Sequence, residues 1–356
     1  MIVLSSTSSS SDRLPTAAPI RTWVFSVVMA VAVLSGIETF WRSMGYAPTV
    51  VDDTNLWCLQ RDRVNSASPQ HIVLVGHSRI HQAWVPDAFD EVVPGYDHIQ
   101  LGRYNSEPLA VFRDIAENTD FAGVVFCSVL SFPMMPEFWR PTENDPYCGP
   151  IVRYYHETWQ LDEKTDRTVS NFWQKHFVVS FPDLAPHKVA PDLLRGEWPV
   201  QSVWTEPDRT QRVEYDKIDS EKYTPRQLDC LKINIAKTTV LDSYKTWPRD
   251  TGYSELEELV RLIEDRGGRV VFFRPVTSGP YDDYLEEWFP RAKFWDHFVR
   301  ETSVEAIHFR DIPELASMQC ADGSHLSDAD TRTFTRVMAN ELLNRGVVAK
   351  ASVASE

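Results

Sequence analysis

This sequence offers no metal framework, no basic face and no apolar run of full membrane-spanning length. Its five cysteines, Cys58, Cys127, Cys148, Cys230 and Cys320, have no zinc-ribbon or finger spacing. The odd count leaves at least one thiol free, or paired outside the chain, if the others bond. Cys127, inside the apolar stretch 123–129, is expected simply to be buried. Lys and Arg number 36 against 51 Asp and Glu, a formal net charge of -15, which argues against wholesale nucleic-acid binding. Near the N-terminus, residues 23–37 run for 15 positions without a charge. A full span wants about 20 apolar residues, and a cleaved signal core about 7–15.

Three readings of that stretch stay open: a retained signal anchor over 22–41, a cleaved signal peptide, and a buried or interfacial helix. The anchor is preferred, because Trp23, Phe40 and Trp41 are the amphipathic rings expected at membrane boundaries. Arg13 and Arg21 precede the run and Arg42 follows it, a bias that favours a cytoplasmic N-terminus. The expectation is a single-pass protein of the cell membrane with an extracytoplasmic body, the alternative being secretion after signal-peptide cleavage.

What is present suits a large globular body. The 356 residues are 43% hydrophobic and include 12 Trp, 12 Tyr and 18 Phe, enough for a substantial core. His71–Val75 (HIVLV) reads as a buried strand, ended by Gly76 and followed by a helix from Ser78. A short strand over 98–101, a helix over about 107–118 with Pro108 in its first turn, and a strand over 123–130 (GVVFCSVL) continue the alternation. It lapses between Pro133 and about Gln227, where Pro, Trp, Tyr and charged residues crowd together as an insertion or cap with several helical pieces. It resumes with a helix over 254–266, given a Ser254/Glu257 capping box, and a strand over 269–273 (RVVFF). One or two aromatic helices over 281–302, a strand over 306–309 (AIHF) and a closing helix over 328–344 capped by Ser327 complete the pattern. Repeated strand–loop–helix units predict an α/β fold, a three-layer α/β/α sandwich on a mostly parallel sheet with a large insertion. The organisation expected is a tail (1–21), anchor (22–41), linker (42–70), first core part (71–132), insertion (133–253), second core part (254–345) and C-terminal tail (346–356).

Chemistry-bearing residues collect at the predicted strand ends. Gly76-His77-Ser78-Arg79 follows the first strand, and Asp322-Gly323-Ser324-His325 precedes the last helix. A serine hydroxyl becomes a nucleophile only when a base takes its proton and an acid orients that base. Ser78 is the candidate nucleophile, His325 the base and Asp322 its orienter; the competing reading makes Ser78 a helix N-cap. Arg79 and Arg274 are candidates for binding an anionic sugar, each with an alternative in a structural ion pair. The i, i+4 pair His77 and His81 lacks an HExxH-like glutamate, so no metal is assigned. No cofactor is expected either. The Trp and Tyr of 139–204 suit carbohydrate stacking or, more simply, packing of the cap.

With Gly76-His77-Ser78-Arg79 early and Asp322-Gly323-Ser324-His325-Leu326 about 240 residues later, the chain resembles the SGNH (GDSL-like) hydrolase superfamily. More closely, it is similar to a membrane-anchored branch related to cell-surface polysaccharide acyl-modification proteins. The segment RVVFFRP at 269–275 resembles a late strand of that branch. The resemblance implies a flavodoxin-like sandwich and a Ser78–His325–Asp322 triad, with an oxyanion hole formed by the N–H groups of Ser78 and Gly102. His77 stands where the family pattern has Asp. Ser131-Phe132-Pro133-Met134 lacks the Gly-x-Asn-Asp signal that supplies a third donor, for which Asn105 is the candidate substitute. The implied function is a serine-dependent esterase or O-acyltransferase acting on an acylated cell-surface glycan or small ester through an acyl-serine intermediate. The alternative is a non-catalytic SGNH-like scaffold or assembly protein at the membrane surface. Candidate partners are the ester substrate, the membrane through the N-terminal helix and membrane-complex proteins, with no nucleic acid.

Overall fold

A computed structural model describes residues 17–65, 68–105, 108–130, 149–218, 220–239, 242–245 and 253–350. Five parallel strands form the central sheet: β1 (His71–Val75), β2 (Asp97–Gln100) and β3 (Val124–Ser128), then, beyond the insertion, two strands labelled below. Helices α1 (Ala17–Ser43) and α2 (Thr54–Arg63) precede β1; α3 (Ser78–Ala83) and α4 (Pro86–Asp90) follow it, and α5 (Leu109–Asn118) links β2 to β3. The described insertion holds α6 (Gly149–Glu157), α7 (Leu161–His176), α8 (Pro186–Leu194), a hairpin of β4 (Val203–Thr205) and β5 (Gln211–Val213), α9 (Ser220–Thr239) and α10 (Asp242–Lys245). The core resumes with α11 (Ser254–Glu264), β6 (Arg269–Arg274), α12 (Gly279–Trp288), α13 (Trp295–Glu301), β7 (Glu305–His308), α14 (Pro313–Ala316) and α15 (Asp328–Asn344).

The strand order is β2-β1-β3-β6-β7, every neighbour parallel. Among the core strands this is the flavodoxin-like order, with its switch point between β1 and β3. Apolar residues run through each central strand because helices cover both faces. Val73, Val75, Val125, Cys127, Val270 and Phe272 face a core shared with α2, α5, α11 and α13. Their alternates Ile72, Leu74, Val124, Phe126, Val271 and Phe273 face one shared with α3, α4 and α15. The three-layer sandwich expected from the alternation is therefore present.

Local details depart from expectation at two places. Ser254 does not cap α11: Tyr253 occupies the cap and no side-chain bond is made there. Asparagine, serine and aspartate caps need the extended backbone, and the chain enters α11 one residue earlier, so Ser254 is already helical. The β4–β5 hairpin has no forerunner in the sequence reading. Elsewhere in the core, two aromatic helices, α12 and α13, occupy the region expected to hold one or two. The segment Ser131-Phe132-Pro133-Met134, Cys148, and the helix start near Glu107 lie outside the described residues.

At the N-terminus, residues 20–43 form a helix long and apolar enough to cross a membrane, 24 residues or about 36 Å at 1.5 Å each, and its apolar window is fully exposed. By length and composition this suits either a membrane anchor or a cleavable signal. Its last turn is not loose. The Glu38 carboxylate accepts from Val178 and Val179 N–H at 3.0 and 2.9 Å, and Arg42 donates to the His176 carbonyl at 2.9 Å. Trp41 and Tyr46 are buried with Val178, Leu184 and Val189 in a small separate core.

Candidate active site

Gly76 has φ of +138°, and a Cβ there would stand 2.4 Å from the Ser128 carbonyl oxygen. The ends of β1 and β3 thus converge at the switch point, and only glycine fits the close approach. The chain then turns into α3. His77, with extended backbone (φ -88°, ψ -176°), holds the cap position, so Ser78 is the first helical residue and its hydroxyl is not spent as a cap. The N-cap reading of Ser78 is thereby corrected. First-turn amides have no acceptor within their helix, which gives this end of the sheet its hydrogen-bond donors.

Across the site, Asp322–His325 forms a tight loop before α15. Asp322 Oδ1 accepts from the Ser324 and His325 N–H groups at 2.9 and 2.7 Å, while Gly323 turns with φ +82° against Tyr281 and the Ser278 carbonyl. The other oxygen, Oδ2, lies 2.8 Å from His325 Nδ1, and His325 Nε2 lies 2.7 Å from Ser78 Oγ. One carboxylate therefore fixes both the loop and the ring. Burial opposes ionisation of Asp322, but the hydrogen bond and charge of His325, with the two backbone N–H groups, outweigh it and hold its carboxyl below the ordinary value. Ser78 is 8% exposed and His325 4%. The arrangement can move the serine proton onto Nε2 while the carboxylate stabilises the resulting imidazolium.

The insertion closes over this relay. Tyr215 stacks on His325 with centroids 6.0 Å apart and planes 18° apart. Its hydroxyl donates to Gln82 Oε1 at 2.6 Å; Gln82 Nε2 donates to Tyr104, which donates to Gln211 on β5. Burial first, then the Asp322 charge, pushes the Tyr215 phenol up. Arg209, in the hairpin turn with φ +67°, is almost wholly buried. It forms a two-pronged pair with Asp52 at 2.6 and 3.0 Å and donates to the Gln100 and Gly102 carbonyls at 2.8 and 3.0 Å. His81 Nε2 meets the Arg209 carbonyl at 3.0 Å. Tyr215, Gln82 and Arg209 went unnoticed in the sequence. Gln82 had a signal, since it sits i+4 from Ser78 on one helix face; Tyr215 and Arg209, from a patternless insertion, had none.

The remaining candidates are placed as follows. Gly102 follows β2 beside the site, but its N–H donates to Gln100 Oε1 at 2.8 Å. Asn105 is exposed, with φ +52°. Arg79 is buried and donates to the Tyr281 hydroxyl, with its guanidinium 5.3 Å from that ring. Arg274 does not point into the cleft: it is 3% exposed and donates to the Pro275 carbonyl at 2.6 Å and to Thr277 Oγ1 at 3.1 Å, with Asp282 at 3.6 Å. Burial pushes it down to about 10 despite the Asp282 charge. These contacts are those of a structural ion pair, the alternative given for it above. No cluster of three or more His, Cys, Asp or Glu able to hold a metal occurs among the described residues, and His81 is turned toward Arg209 and Asp52.

An α/β/α sandwich with a serine–histidine–aspartate relay at its switch point is a hydrolase-like arrangement. No protein-family model and no curated protein matches this sequence. Among solved structures, a crystal structure of TesA is similar over 77% of this chain and 99% of its own, at 12% identity and a TM-score of 0.32. That likeness is too weak to carry a shared activity.

Proposed function

We propose that this chain is a membrane-tethered, serine-dependent esterase or O-acyltransferase whose substrate is an acylated cell-surface glycan. The observation that carries the reading is the unbroken relay from Ser78 Oγ through His325 to Asp322, at 2.7 and 2.8 Å. Ser78 Oγ attacks the ester carbonyl as its proton passes to His325 Nε2. The tetrahedral oxyanion collapses, the C–O bond to the alcohol breaks, and His325 returns the proton to the departing alkoxide. Water or a sugar hydroxyl then attacks acyl-Ser78, giving its own proton to His325, and Ser78 is restored. Tyr104 and Tyr223, next to Tyr215, offer partly exposed ring faces suited to a sugar.

Retention of the anchor is supported by the bonds of Glu38 and Arg42 and the burial of Trp41. A cut beyond Trp41 would remove the contacts of Glu38 and Trp41 from the insertion. The arginine bias supports an extracytoplasmic body.

A second reading, a scaffold that keeps the sandwich without efficient chemistry, is favoured by one observation: the Gly102 N–H is already engaged by Gln100. A fluorophosphonate probe applied to the full chain in detergent separates the two. Labelling that vanishes in Ser78→Ala is expected; a folded wild type that neither labels nor turns over p-nitrophenyl acetate establishes the scaffold. Release of acyl groups to water, compared with transfer to a glycan acceptor, distinguishes esterase from transferase.

A further inference from the structure

We propose that one face of the insertion, built from the carboxyl half of α7 and the chain around the end of α8, rests on the bilayer as a second membrane contact beside α1. Its occupant is the boundary between lipid headgroups and acyl chains. The inference rests on the anchor reading above.

Helix α7 is docked by its polar side. Arg167 is buried and donates to Asp53 and to the Val51 carbonyl at 2.8 and 2.7 Å, and Gln174 accepts from the Val51 N–H at 2.9 Å. These positions are seven apart and share one face. The opposite face carries Val169, Phe172 and Trp173, spaced i, i+3, i+4, and all three are more than half exposed. A surface helix of a water-soluble body presents the reverse pattern. Leu194 at the end of α8 is 89% exposed and Trp198 is 51% exposed. A clustered apolar surface of this kind marks an interaction site.

Continuity with α1 identifies what covers it. Trp198 lies 6.2 Å from Phe40 in the last turns of the apolar helix. The residues directly after α7 bond to Glu38, and the final carbonyl of α7 bonds to Arg42. The aromatic patch therefore starts where the apolar helix ends, at the level where Trp and other amphipathic rings prefer to sit. Lys188 is paired with Asp183 and Arg195 with Asp192, while Lys175 stands beside the patch in the last turn of α7. The exposed apolar side chains supply the contact by insertion, for which anionic lipid is not required.

The test uses the full chain in vesicles of zwitterionic phosphatidylcholine, with Cys148→Ser and Cys230→Ser as background. A fluorophore is placed in turn through Trp173→Cys, Trp198→Cys and, as reference on the core helix α11, Arg261→Cys. A nitroxide high on the lipid acyl chain is expected to quench the probes at 173 and 198 several-fold more than the probe at 261, with little change when salt is raised. Protein that floats with the vesicles but shows equal quenching at the three positions overturns the second contact and leaves the anchor standing. Failure to float overturns both. Unquenched probes at 173 and 198, with concentration-dependent cross-linking between chains of the same cysteine variants left unlabelled, assign the face to a second copy and also overturn the proposal.

Discussion

At the scale of single residues, the candidate site depends on a few atoms with two duties. Asp322 holds its own loop through one oxygen and the His325 ring through the other. Asp322→Asn keeps the shape of the group but disturbs the tautomer, so probe labelling of Ser78 is expected to slow by about 10³–10⁴-fold with little loss of fold, measured as a second-order rate beside a thermal melt. Gln100→Ala frees the Gly102 N–H from its present acceptor. If that N–H serves the oxyanion, acylation of this variant is expected to be faster than wild type, toward the roughly 10²-fold worth of one donor; an unchanged rate removes Gly102 from the oxyanion site. The Ser motif was legible because it follows a strand and opens a helix, and the Asp-His motif because it stands just before the last helix. For Arg274 the sequence leaves sugar binding and an ion pair both open, because a position at a strand end says nothing of direction, and its partners Thr277 and Asp282 come from the following turn and α12.

At the scale of elements, the β4–β5 hairpin is held to the core by polar rather than apolar contacts. Arg209→Ala leaves Asp52 charged, largely buried and without its two-pronged partner, and is expected to cost about 3–5 kcal/mol in urea denaturation. Burial pushes His81 down to about 3 from its ordinary 6.5, helped by the Arg209 charge and opposed by Asp52. Between those values the unfolded chain takes up a proton that the folded chain excludes. Stability is then full above about pH 6.5 and falls as pH drops toward 3, by up to about 1.4 kcal/mol per pH unit. Denaturation at pH 7 and pH 5 measures this, and His81→Gln is expected to flatten the difference. Strands β1, β3 and β6 were legible as apolar runs because both faces are covered. The hairpin was not, since three-residue strands reading VWT and QRV have no period, and their partners are Thr49, Asp52 and Gln100 far along the chain.

At the scale of the whole molecule, the apolar helix, the insertion and the sandwich are connected in series. Glu38 and Trp41 join the first to the second, and Arg209 and Tyr215 join the second to the third. Trp41→Ala is expected to cost about 3 kcal/mol where it is felt, in the insertion. Limited proteolysis should therefore cut within 149–218 sooner than in wild type while the sheet resists. The parallel three-layer sandwich could be anticipated from alternation of elements, whereas its flavodoxin-like character was implied only by the family resemblance. The attachment of the apolar helix could not, because a carboxylate near the end of a candidate span reads as an interfacial charge until its acceptor role toward two backbone amides is seen.

The bonds from Arg209 to the carbonyls of Gln100 and Gly102 have a further consequence. They make the hairpin and the strand-end loop a single linked equilibrium, and linkage is reciprocal. Whatever orders the loop on loading Ser78 must order the hairpin by the same free energy. Slowed amide exchange across 203–213 in the phosphonylated protein would therefore report occupancy of Ser78.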